Sequence, residues 1–311
     1  MTLNILFAAN AQRWADYETH LHAALSDLGM IDYQLAEQID PKDVDYIIYA
    51  PDSALQDFTP YVKSKAVLNL WAGVEAIVGN PTLHLPLARM VDPSMTQGMM
   101  EWVTGHCLRH HLGMDTHITA TPGTWEPSAP PVTWDRKIAV LGMGALGAAC
   151  ARSLAALGFE VHGWSRSLKQ IEGLITHHGP DGLRNALNGA DGVVLLLPKT
   201  PETENTLNGD TLPFLAQGAF VLNPGRGPLI DDAALIEALN SGQIGHATLD
   251  VFRIEPLPQD DPYWRHPNVT VTPHIASETR PAYAAKIIAE NIRRGEAGEP
   301  FLHLVDRNRG Y

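Results

Sequence analysis

The chain has 311 residues, a mass of 33.9 kDa and 45% hydrophobic residues, which favour two domains with substantial cores. Its 22 basic and 35 acidic residues give a formal charge of −13 at pH 7, and it has no dense basic tract, so a nucleic acid partner is not expected. Two cysteines, no signal-peptide pattern and no apolar run long enough for a bilayer indicate a reduced, cytoplasmic protein without a membrane partner. Because the net charge repels anions, an anionic substrate needs a local site of arginine and backbone N–H groups.

The first part of the chain alternates strand-like and helical patterns, which is typical of an open α/β structure. Strands are predicted at 3–8, 45–50 and 66–71, and a helix at 14–28. A long helix is predicted at 95–112, with Ser94 as its N-cap and Gly113 as its end. The proline-rich segment 121–134 suits neither a helix nor an inner strand, so it is interpreted as a linker between domains.

The second part has shorter and more apolar strand patterns, with helical patterns between most of them. This predicts a parallel sheet covered on both faces. The predicted strands are 138–141, 160–164, 193–197, 219–222, 247–249 and 269–271. A last helix at 281–294 follows the final strand and is expected to return to the first domain, which would then be discontinuous.

A glycine-rich motif joins the strand ending at Leu141 to a helix. Gly142, Gly144 and Gly147 form G-x-G-x-x-G, which allows a tight turn, close approach of a pyrophosphate and helix–strand packing. The helix N-terminus offers free N–H groups to the phosphates. The alternative is a glycine-rich turn without a ligand. The predicted dinucleotide contacts are Gly142, Met143, Gly144, Ala145, Leu146 and Gly147.

The next strand ends in Trp164, Ser165, Arg166 and Ser167. Ser165 follows Gly147 by eighteen residues (165 − 147), where an NAD-binding protein usually has a carboxylate for the ribose. Hydroxyls and a guanidinium suit a 2′-phosphate instead, so NADPH is the predicted cofactor and NADH remains possible. The alternative is that Arg166 is an ordinary solvated arginine. The predicted cofactor-binding set also includes Leu197, Pro198, Asn223, Gly225 and Asp250.

Three polar clusters follow predicted parallel strands, at 223–227, 250–256 and 272–274. Ligands of open α/β sheets bind at this edge. Arg226 can hold a substrate carboxylate and stabilise charge on a carbonyl oxygen. His274 is the predicted proton donor, and Glu255 would raise its pKa. Asp250 is expected to accept a hydrogen bond from the nicotinamide carboxamide.

Each of these residues alone has a structural explanation, because the chain contains 14 histidines and because Arg226 and Glu255 could form an ordinary surface pair. The prediction depends on their joint placement behind the dinucleotide motif. His106 and His110 lie four apart on the predicted long helix, with Cys107 nearby, but the sequence indicates no third ligand. No metal site is therefore predicted.

The motifs G-x-G-x-x-G, N-x-x-R-G, D-V-F-x-x-E-P and T-P-H, in this order, resemble those of the D-isomer-specific 2-hydroxyacid dehydrogenase family over essentially the whole chain. Segments 70–75 and 164–167 resemble its glyoxylate/hydroxypyruvate reductase A branch. The resemblance implies NADPH-dependent reduction of glyoxylate to glycolate or of hydroxypyruvate to D-glycerate. It also implies that Arg226, Glu255 and His274 are catalytic, and that family members form homodimers through the nucleotide domain.

The resemblance further implies a substrate-binding segment. Backbone N–H groups near Ala72 and Gly73 would bind the substrate carboxylate, and Arg226 and His274 would complete that site. Trp71 is either a pocket wall or a core aromatic residue. Two residues depart from the family pattern, Gly225 where alanine or serine is frequent and Pro228 where a branched apolar residue is common, so the loop that carries Arg226 could differ in shape.

The predicted fold class is α/β, with two Rossmann-like or flavodoxin-like domains, parallel sheets and the active site in the cleft between them. Residues 1–103 and 280–311 would form the substrate-binding domain, and residues 104–279 the NAD(P)-binding Rossmann domain. Two alternatives remain open: a related dehydrogenase acting on another 2-oxo acid or on a hydride donor without a carboxylate, and a dinucleotide-sensing binding protein without catalysis. The sequence does not determine which 2-oxo acid is preferred.

Overall fold

The computed structural model describes residues 2–125 and 127–307, so Glu126 of the predicted linker and residues 308–311 lie outside it. The chain forms two compact units. One consists of the residues up to Met95 together with those from Thr279 onward, and the other is Thr96–Glu278. The first boundary, between Met95 and Thr96, comes earlier in the chain than the boundary at 103/104 expected from the sequence. The physical reason is that Met99 and Val103 are already part of a core in the second unit.

The first unit is built on a five-stranded parallel sheet with the order β2-β1-β3-β4-β5. Its central strand β3 is buried at all four residues, and its neighbour β1 is buried at five of six. The elements are β1 (Leu3–Ala8), α1 (Ala11–Asp27), β2 (Tyr33–Ala36), β3 (Tyr46–Tyr49), β4 (Ala66–Asn69), β5 (Leu87–Ala88) and the last helix of the chain, α7 (Pro281–Glu296). The return of the last helix to this unit joins the two ends of the chain in one core.

Helix α1 is amphipathic and begins at a side-chain cap. The Asn10 side chain accepts a hydrogen bond from the N–H of Arg13 at 3.0 Å, which satisfies one of the free donors of the first turn. Tyr17, Leu21 and Leu25 form a buried stripe at a spacing of four residues. This stripe packs in one cluster with Ile288 and other apolar residues of α7, so the two helices cover the same face of the sheet.

The next helix, α2 (Pro93–His111), begins at Pro93, and its cap differs from the prediction. Asp92, not Ser94, is the acceptor, because its Oδ1 atom receives the N–H groups of Ser94 at 2.7 Å and Met95 at 3.1 Å. Proline is well suited to the first helical position. Although α2 has 19 residues, no helix in the described ranges combines the length and apolarity needed to cross a membrane.

The second unit is built on a seven-stranded parallel sheet with the order β12-β11-β10-β9-β6-β7-β8. The order reverses between β6 and β9, and the carboxyl edge beside such a reversal is where open α/β sheets bind ligands. Its elements after α2 are α3 (Met114–Ile118), β6 (Lys137–Leu141), α4 (Ala145–Ala156), β7 (Glu160–Ser165), β8 (Ile175–His178), α5 (Gly179–Leu187), β9 (Gly192–Leu195), β10 (Ala219–Asn223), α6 (Asp232–Asn240), β11 (Ile244–Leu249) and β12 (Val269–Val271).

Candidate active site

The glycine turn between β6 and α4 is tightly packed at its first and third glycines. Gly142 has a φ of 108°, and an added Cβ would lie 2.4 Å from the carbonyl oxygen of Leu196. A Cβ on Gly147 would lie 1.7 Å from the carbonyl oxygen of Gly142. Both positions therefore require glycine, the first for the turn beside β9 and the third for packing of the helix against that turn.

The middle glycine has the opposite environment. Gly144 is exposed, and no heavy atom lies within 4 Å of the position that its Cβ would take. It is the N-cap residue of α4 and provides no side-chain hydrogen bond to the first turn. The start of α4 is therefore open to solvent at Gly144, where neither a side chain nor a side-chain cap is present. This arrangement fits a dinucleotide pyrophosphate, whose charge the helix N-terminus stabilises.

The segment after β7 presents charged and hydroxyl groups beside this turn. Arg166 and Ser167 are exposed, whereas Ser165 is 9% exposed and its hydroxyl donates to the carbonyl oxygen of Ser167 at 2.8 Å. Ser165 therefore shapes the loop, and the groups on its outside are Arg166 and Ser167. Sequence reasoning missed Lys169, whose Nζ atom donates to the carbonyl oxygen of Met143 at 2.8 Å and so connects this loop to the glycine turn.

The side chains of several other residues in the predicted cofactor set mainly pack or hydrogen-bond within the unit. Met143 is 2% exposed, and a Cβ on Gly163 would lie 2.5 Å from its Sδ atom. The Trp164 indole donates to the carbonyl oxygen of Gly179 at 2.8 Å. Leu197 is 7% exposed, and Pro198 accepts a hydrogen bond from the Thr203 hydroxyl through its carbonyl oxygen at 2.7 Å.

The loop that carries Arg226 is held by Asn223, which is 1% exposed. The Asn223 amide donates to the carbonyl oxygen of Arg226 at 3.0 Å, and its oxygen accepts from the N–H of Gly225 at 3.2 Å. The Asn223 side chain thus holds the loop, and the cofactor contact predicted for this residue stays a prediction. The unusual Gly225 also has a local reason, because a Cβ there would lie 2.6 Å from the carbonyl oxygen of Leu195.

Gly227 allows the Arg226 loop to contact the loop that carries Glu255. A Cβ on Gly227 would lie 2.0 Å from the carbonyl carbon of Phe252, so only glycine fits this crossing. The N–H of Phe252 donates to the Glu255 carboxylate at 2.8 Å. Two strand-end clusters separated in sequence are thereby brought into direct contact.

Asp250 organises the third cluster. Its carboxylate accepts the Thr272 hydroxyl at 2.5 Å and the N–H groups of Ile275 and Ala276, each at 2.9 Å. Asp250 is 1% exposed. Asp250 is thus a buried acceptor that holds the third cluster, and its hydrogen bond with a nicotinamide carboxamide stays a prediction.

His274 has a left-handed backbone conformation, with a φ of 55°. This region is unfavourable for residues other than glycine and is found where surrounding contacts enforce it. Here the His274 N–H donates to the carbonyl oxygen of Asp250 at 2.9 Å, while the Asp250 carboxylate holds the two following residues. The buried aspartate therefore determines the direction of the His274 side chain.

His274 and Glu255 form a direct pair, with Nδ1 and Oε2 2.7 Å apart. The hydrogen bond to Glu255 raises the pKa of His274 above its ordinary value, although burial and the charge of Arg226 oppose the change. Burial raises the pKa of Glu255, but the hydrogen bonds from His274 and Phe252 and the nearby positive charges outweigh it, so this pKa is lowered. Glu255 is therefore the hydrogen-bond acceptor, and Nδ1–H of His274 is the donor. Because its pKa is raised, the imidazole remains charged to higher pH and can act as a proton source.

The first unit contains the predicted substrate-binding segment, directly after β4. The Asn69 side chain donates to the carbonyl oxygens of Trp71 at 2.9 Å and Gly73 at 3.0 Å. Within the described residues, the N–H groups of Ala72 and Gly73 donate no hydrogen bond, and both residues are partly exposed. Two adjacent donors of this kind fit an anionic group. Asn69, which sequence reasoning missed, fixes their direction.

The sequence leaves Trp71 as either a pocket wall or a core aromatic residue, and its surroundings have features of both. It packs against the apolar cluster of the first unit but is only partly buried. The guanidinium of Arg13 lies over its ring, 5.5 Å from the centroid, and the Arg13 Nε atom pairs with Asp52 at 3.0 Å. The indole is thus held between core and guanidinium and stays partly exposed.

Comparisons with known proteins agree with this geometry. The family described as "D-isomer specific 2-hydroxyacid dehydrogenase, NAD binding domain" matches residues 105–276. Glyoxylate/hydroxypyruvate reductase A of Serratia proteamaculans is 41% identical over 255 residues, which are 79% of this chain and 82% of that protein.

Two solved structures align with this chain over the full length of both proteins. A D-isomer specific 2-hydroxyacid dehydrogenase of Xanthobacter autotrophicus, in complex with NADPH and MES, has a TM-score of 0.92 at 41% identity. The NADPH-dependent glyoxylate/hydroxypyruvate reductase of Sinorhizobium meliloti, in complex with NADP and sulfate, has a TM-score of 0.84 at 32% identity. Sequence, fold and the order of the motifs therefore agree, and the chain belongs to the D-isomer specific 2-hydroxyacid dehydrogenase family.

Proposed function

We propose that this chain reduces small 2-oxo acids with NADPH, converting glyoxylate to glycolate and hydroxypyruvate to D-glycerate. The observation that carries the proposal is the 2.7 Å contact between His274 and Glu255, formed in the unit that also contains the glycine turn and Arg226. The reductases named above in Serratia and Sinorhizobium support the choice of substrates.

The proposed chemistry uses one proton donor and one charge stabiliser. Bound NADPH supplies the hydride that reaches the carbonyl carbon. His274 gives the proton from Nε2 to the carbonyl oxygen, since Nδ1 is occupied by Glu255. Arg226, whose positive charge influences both residues, stabilises the negative charge that develops on that oxygen. The products are the 2-hydroxy acid and NADP⁺, so hydride and proton together balance the reaction.

Carboxylate binding is assigned to the segment after β4. The unused N–H groups of Ala72 and Gly73 would receive the substrate carboxylate, and the edge of Trp71 would limit the size of the side chain. This local donor pair meets the requirement set by the net charge of −13, which repels anions at long range.

Preference for NADPH is assigned to the loop after β7. Arg166 and Ser167 are exposed, and Lys169 is fixed against the glycine turn, so a 2′-phosphate would meet two cations and a hydroxyl without a competing carboxylate at position 165. NADH lacks this phosphate and would gain nothing from these groups.

The decisive experiment is a set of initial rates on glyoxylate, hydroxypyruvate, pyruvate and bulkier 2-oxo acids with each cofactor. We expect the highest kcat/KM for glyoxylate or hydroxypyruvate with NADPH. A preference for a bulkier acid would favour a related dehydrogenase of the same family. Tight NADPH binding without turnover on any acid would favour a dinucleotide-sensing protein.

The assembly is proposed to be a homodimer formed through the second unit. Several large apolar side chains in the segment after α2 are exposed, including Ile118 at 73%, Trp125 at 92% and Trp134 at 71%. Several large apolar side chains exposed along one segment favour an association site there. A cytoplasmic location is part of the same proposal, and the two cysteines, Cys107 and Cys150, are free and buried.

A further inference from the structure

Three side chains with metal-binding atoms lie together in the second unit, outside the catalytic set. They are His110 near the end of α2, Asp115 in α3 and His246 in β11, and their ligand atoms lie within 4.8 Å of one another. The turn at Gly113, with a φ of 61°, directs the chain so that α3 returns Asp115 toward the end of α2. A sequence search around His110 does not find this group, because His246 comes from a distant strand.

Both histidines are held from the far side of the ring. Nε2 of His110 lies 2.9 Å from the hydroxyl of Thr248, and Nε2 of His246 lies 2.9 Å from the hydroxyl of Thr270. An imidazole that binds a metal is usually fixed in this way through its second nitrogen, which sets both tautomer and orientation. The Nδ1 atoms of the two rings are therefore available as ligands.

Asp115 is held in a similar manner. Nε of Arg109 donates to Oδ1 at 2.8 Å and to Oδ2 at 3.0 Å, which leaves further lone pairs on each oxygen. Arg109 orients the carboxylate, but its charge also opposes a nearby cation. The Asp115 side chain is 37% exposed, so an ion has a path to the three side chains from solvent.

The protonation states are compatible with metal binding. Burial, together with nearby cationic groups such as Arg109, lowers the pKa of His110 to about 3 and that of His246 to about 4, although the charge of Asp115 opposes the change. Both rings are neutral near pH 7, which is the form that coordinates a metal.

We propose that His110, Asp115 and His246 bind a divalent transition ion of the zinc class, with water completing the coordination. Two imidazoles and one carboxylate form a ligand set that zinc accepts. Tetrahedral bonds of about 2.1 Å place ligand atoms roughly 3.4 Å apart, so small side-chain rotations must close the group by up to about 1.4 Å. The bound ion connects α2, α3 and β11, and its role is to stabilise this part of the second unit.

The test uses the whole chain after treatment with a chelator, without NADPH or substrate. Titration calorimetry with ZnCl₂ is expected to give one ion per chain, and the Tm is expected to rise with zinc concentration because the ion binds only the folded state. Replacement of zinc by Co²⁺ should give visible d–d absorption bands. His246→Gln and Asp115→Asn should each weaken zinc binding at least about tenfold and remove the bands.

A third variant tests the site without removing a ligand, and two controls test other histidines as zinc sites. Thr270→Val removes only the hydroxyl that holds His246 and should weaken binding about tenfold. His177→Gln is the matched control, because His177 also belongs to a stacked histidine pair, with His162, in the same unit. His274→Ala tests zinc binding at the catalytic pair. Both controls should retain the wild-type stoichiometry and affinity.

The proposal is overturned if the wild type binds no zinc stoichiometrically, or if Asp115→Asn and Thr270→Val bind it as the wild type does. It is also overturned if either control loses the ion to the same degree. Circular dichroism identifies any variant that fails to fold, and the two conservative variants then decide. None of these results depends on the reductase activity, so the two proposals fail separately.

Discussion

His274 and Glu255 matter through protonation more than through stability. Their side chains are 57% and 35% exposed, and ion pairs with such access to water contribute little to the free energy of folding. The pair has a larger effect on protonation than on stability. Each residue shifts the pKa of the other, so the imidazolium is present to higher pH and the carboxylate stays ionised to lower pH. Substitutions here should therefore change activity and its pH dependence while leaving the fold intact.

His274→Ala should lower kcat with glyoxylate by about 10²–10⁴-fold, the usual contribution of a general acid, while NADPH binding persists. Stopped-flow or steady-state rates give kcat, and fluorescence titration gives NADPH affinity. His20, an exposed histidine on α1, offers a control, and His20→Ala should retain wild-type rates. Full activity of His274→Ala would assign the proton to another group.

Glu255→Gln should change the pH dependence of reduction. The wild-type rate should fall as pH rises through the raised pKa of His274, because the charged imidazole is the acid. Without the carboxylate that pKa decreases, so the fall should move to lower pH. The measurement is kcat/KM for reduction as a function of pH in both proteins. An unchanged profile would separate Glu255 from the titration of His274.

At the scale of elements, the loops after β10, β11 and β12 depend on buried polar side chains that hydrogen-bond to their main chains. Asn223 and Asp250 are each 1% exposed, and their hydrogen bonds fix the loops that carry Arg226 and His274. Glycine at position 227 permits the contact between two of these loops. The side chains proposed to be catalytic are thus positioned by the main chain of their loops.

The loop after β7 provides the prediction on cofactor choice. Arg166→Asp should lower the ratio of kcat/KM for NADPH to that for NADH by roughly tenfold or more, because a charge-assisted hydrogen bond contributes about 1.5–3 kcal/mol. Initial rates with both cofactors measure the ratio. Arg152→Asp changes charge equally at an exposed position on α4 and should leave the ratio unaltered. Equal use of both cofactors by the wild type would contradict the assignment.

At the scale of the whole molecule, the chain devotes one parallel sheet to each unit. The second unit alone contains the glycine turn and the set Arg226, Glu255 and His274, whereas the first contributes the free donors at Ala72 and Gly73. Both units place these groups at carboxyl ends of parallel strands. The negative net charge of the molecule makes such local donor groups necessary for any anionic ligand.

The exposed aromatic residues after α2 lead to a prediction on assembly. Light scattering should give twice the 33.9 kDa mass of one chain for the wild type. Trp134→Glu should shift the population toward monomer, because a charge in an apolar interface is costly to desolvate. Trp264 is 50% exposed outside this segment, so Trp264→Glu should remain dimeric. A monomeric wild type would exclude the proposed interface.

Much of the fold could be read from apolar periodicity. The predicted strand at 3–8 agrees in both bounds with β1, and the predicted strand at 269–271 agrees with β12. β8 was missed because it is an edge strand that contains two histidines, and β5 because it has only two residues. The cap of α2 was misassigned because Asp92 and Ser94 are both good acceptors, and only the chain path decides between them.

The glycine turn and the family motifs could be predicted from the order of residues along the chain, because their residues are close in sequence or follow apolar strands. The assignment of Arg226, Glu255 and His274 as catalytic uses the same signal and stays a prediction. The contact of Lys169 with the turn and the three-residue group at His110 depend on long-range packing. Hydrogen bonds between distant segments form only after the sheets assemble, so no pattern of neighbouring residues encodes them. The burial of Asp250 is of the same kind, since the depth of a side chain is a property of the folded core.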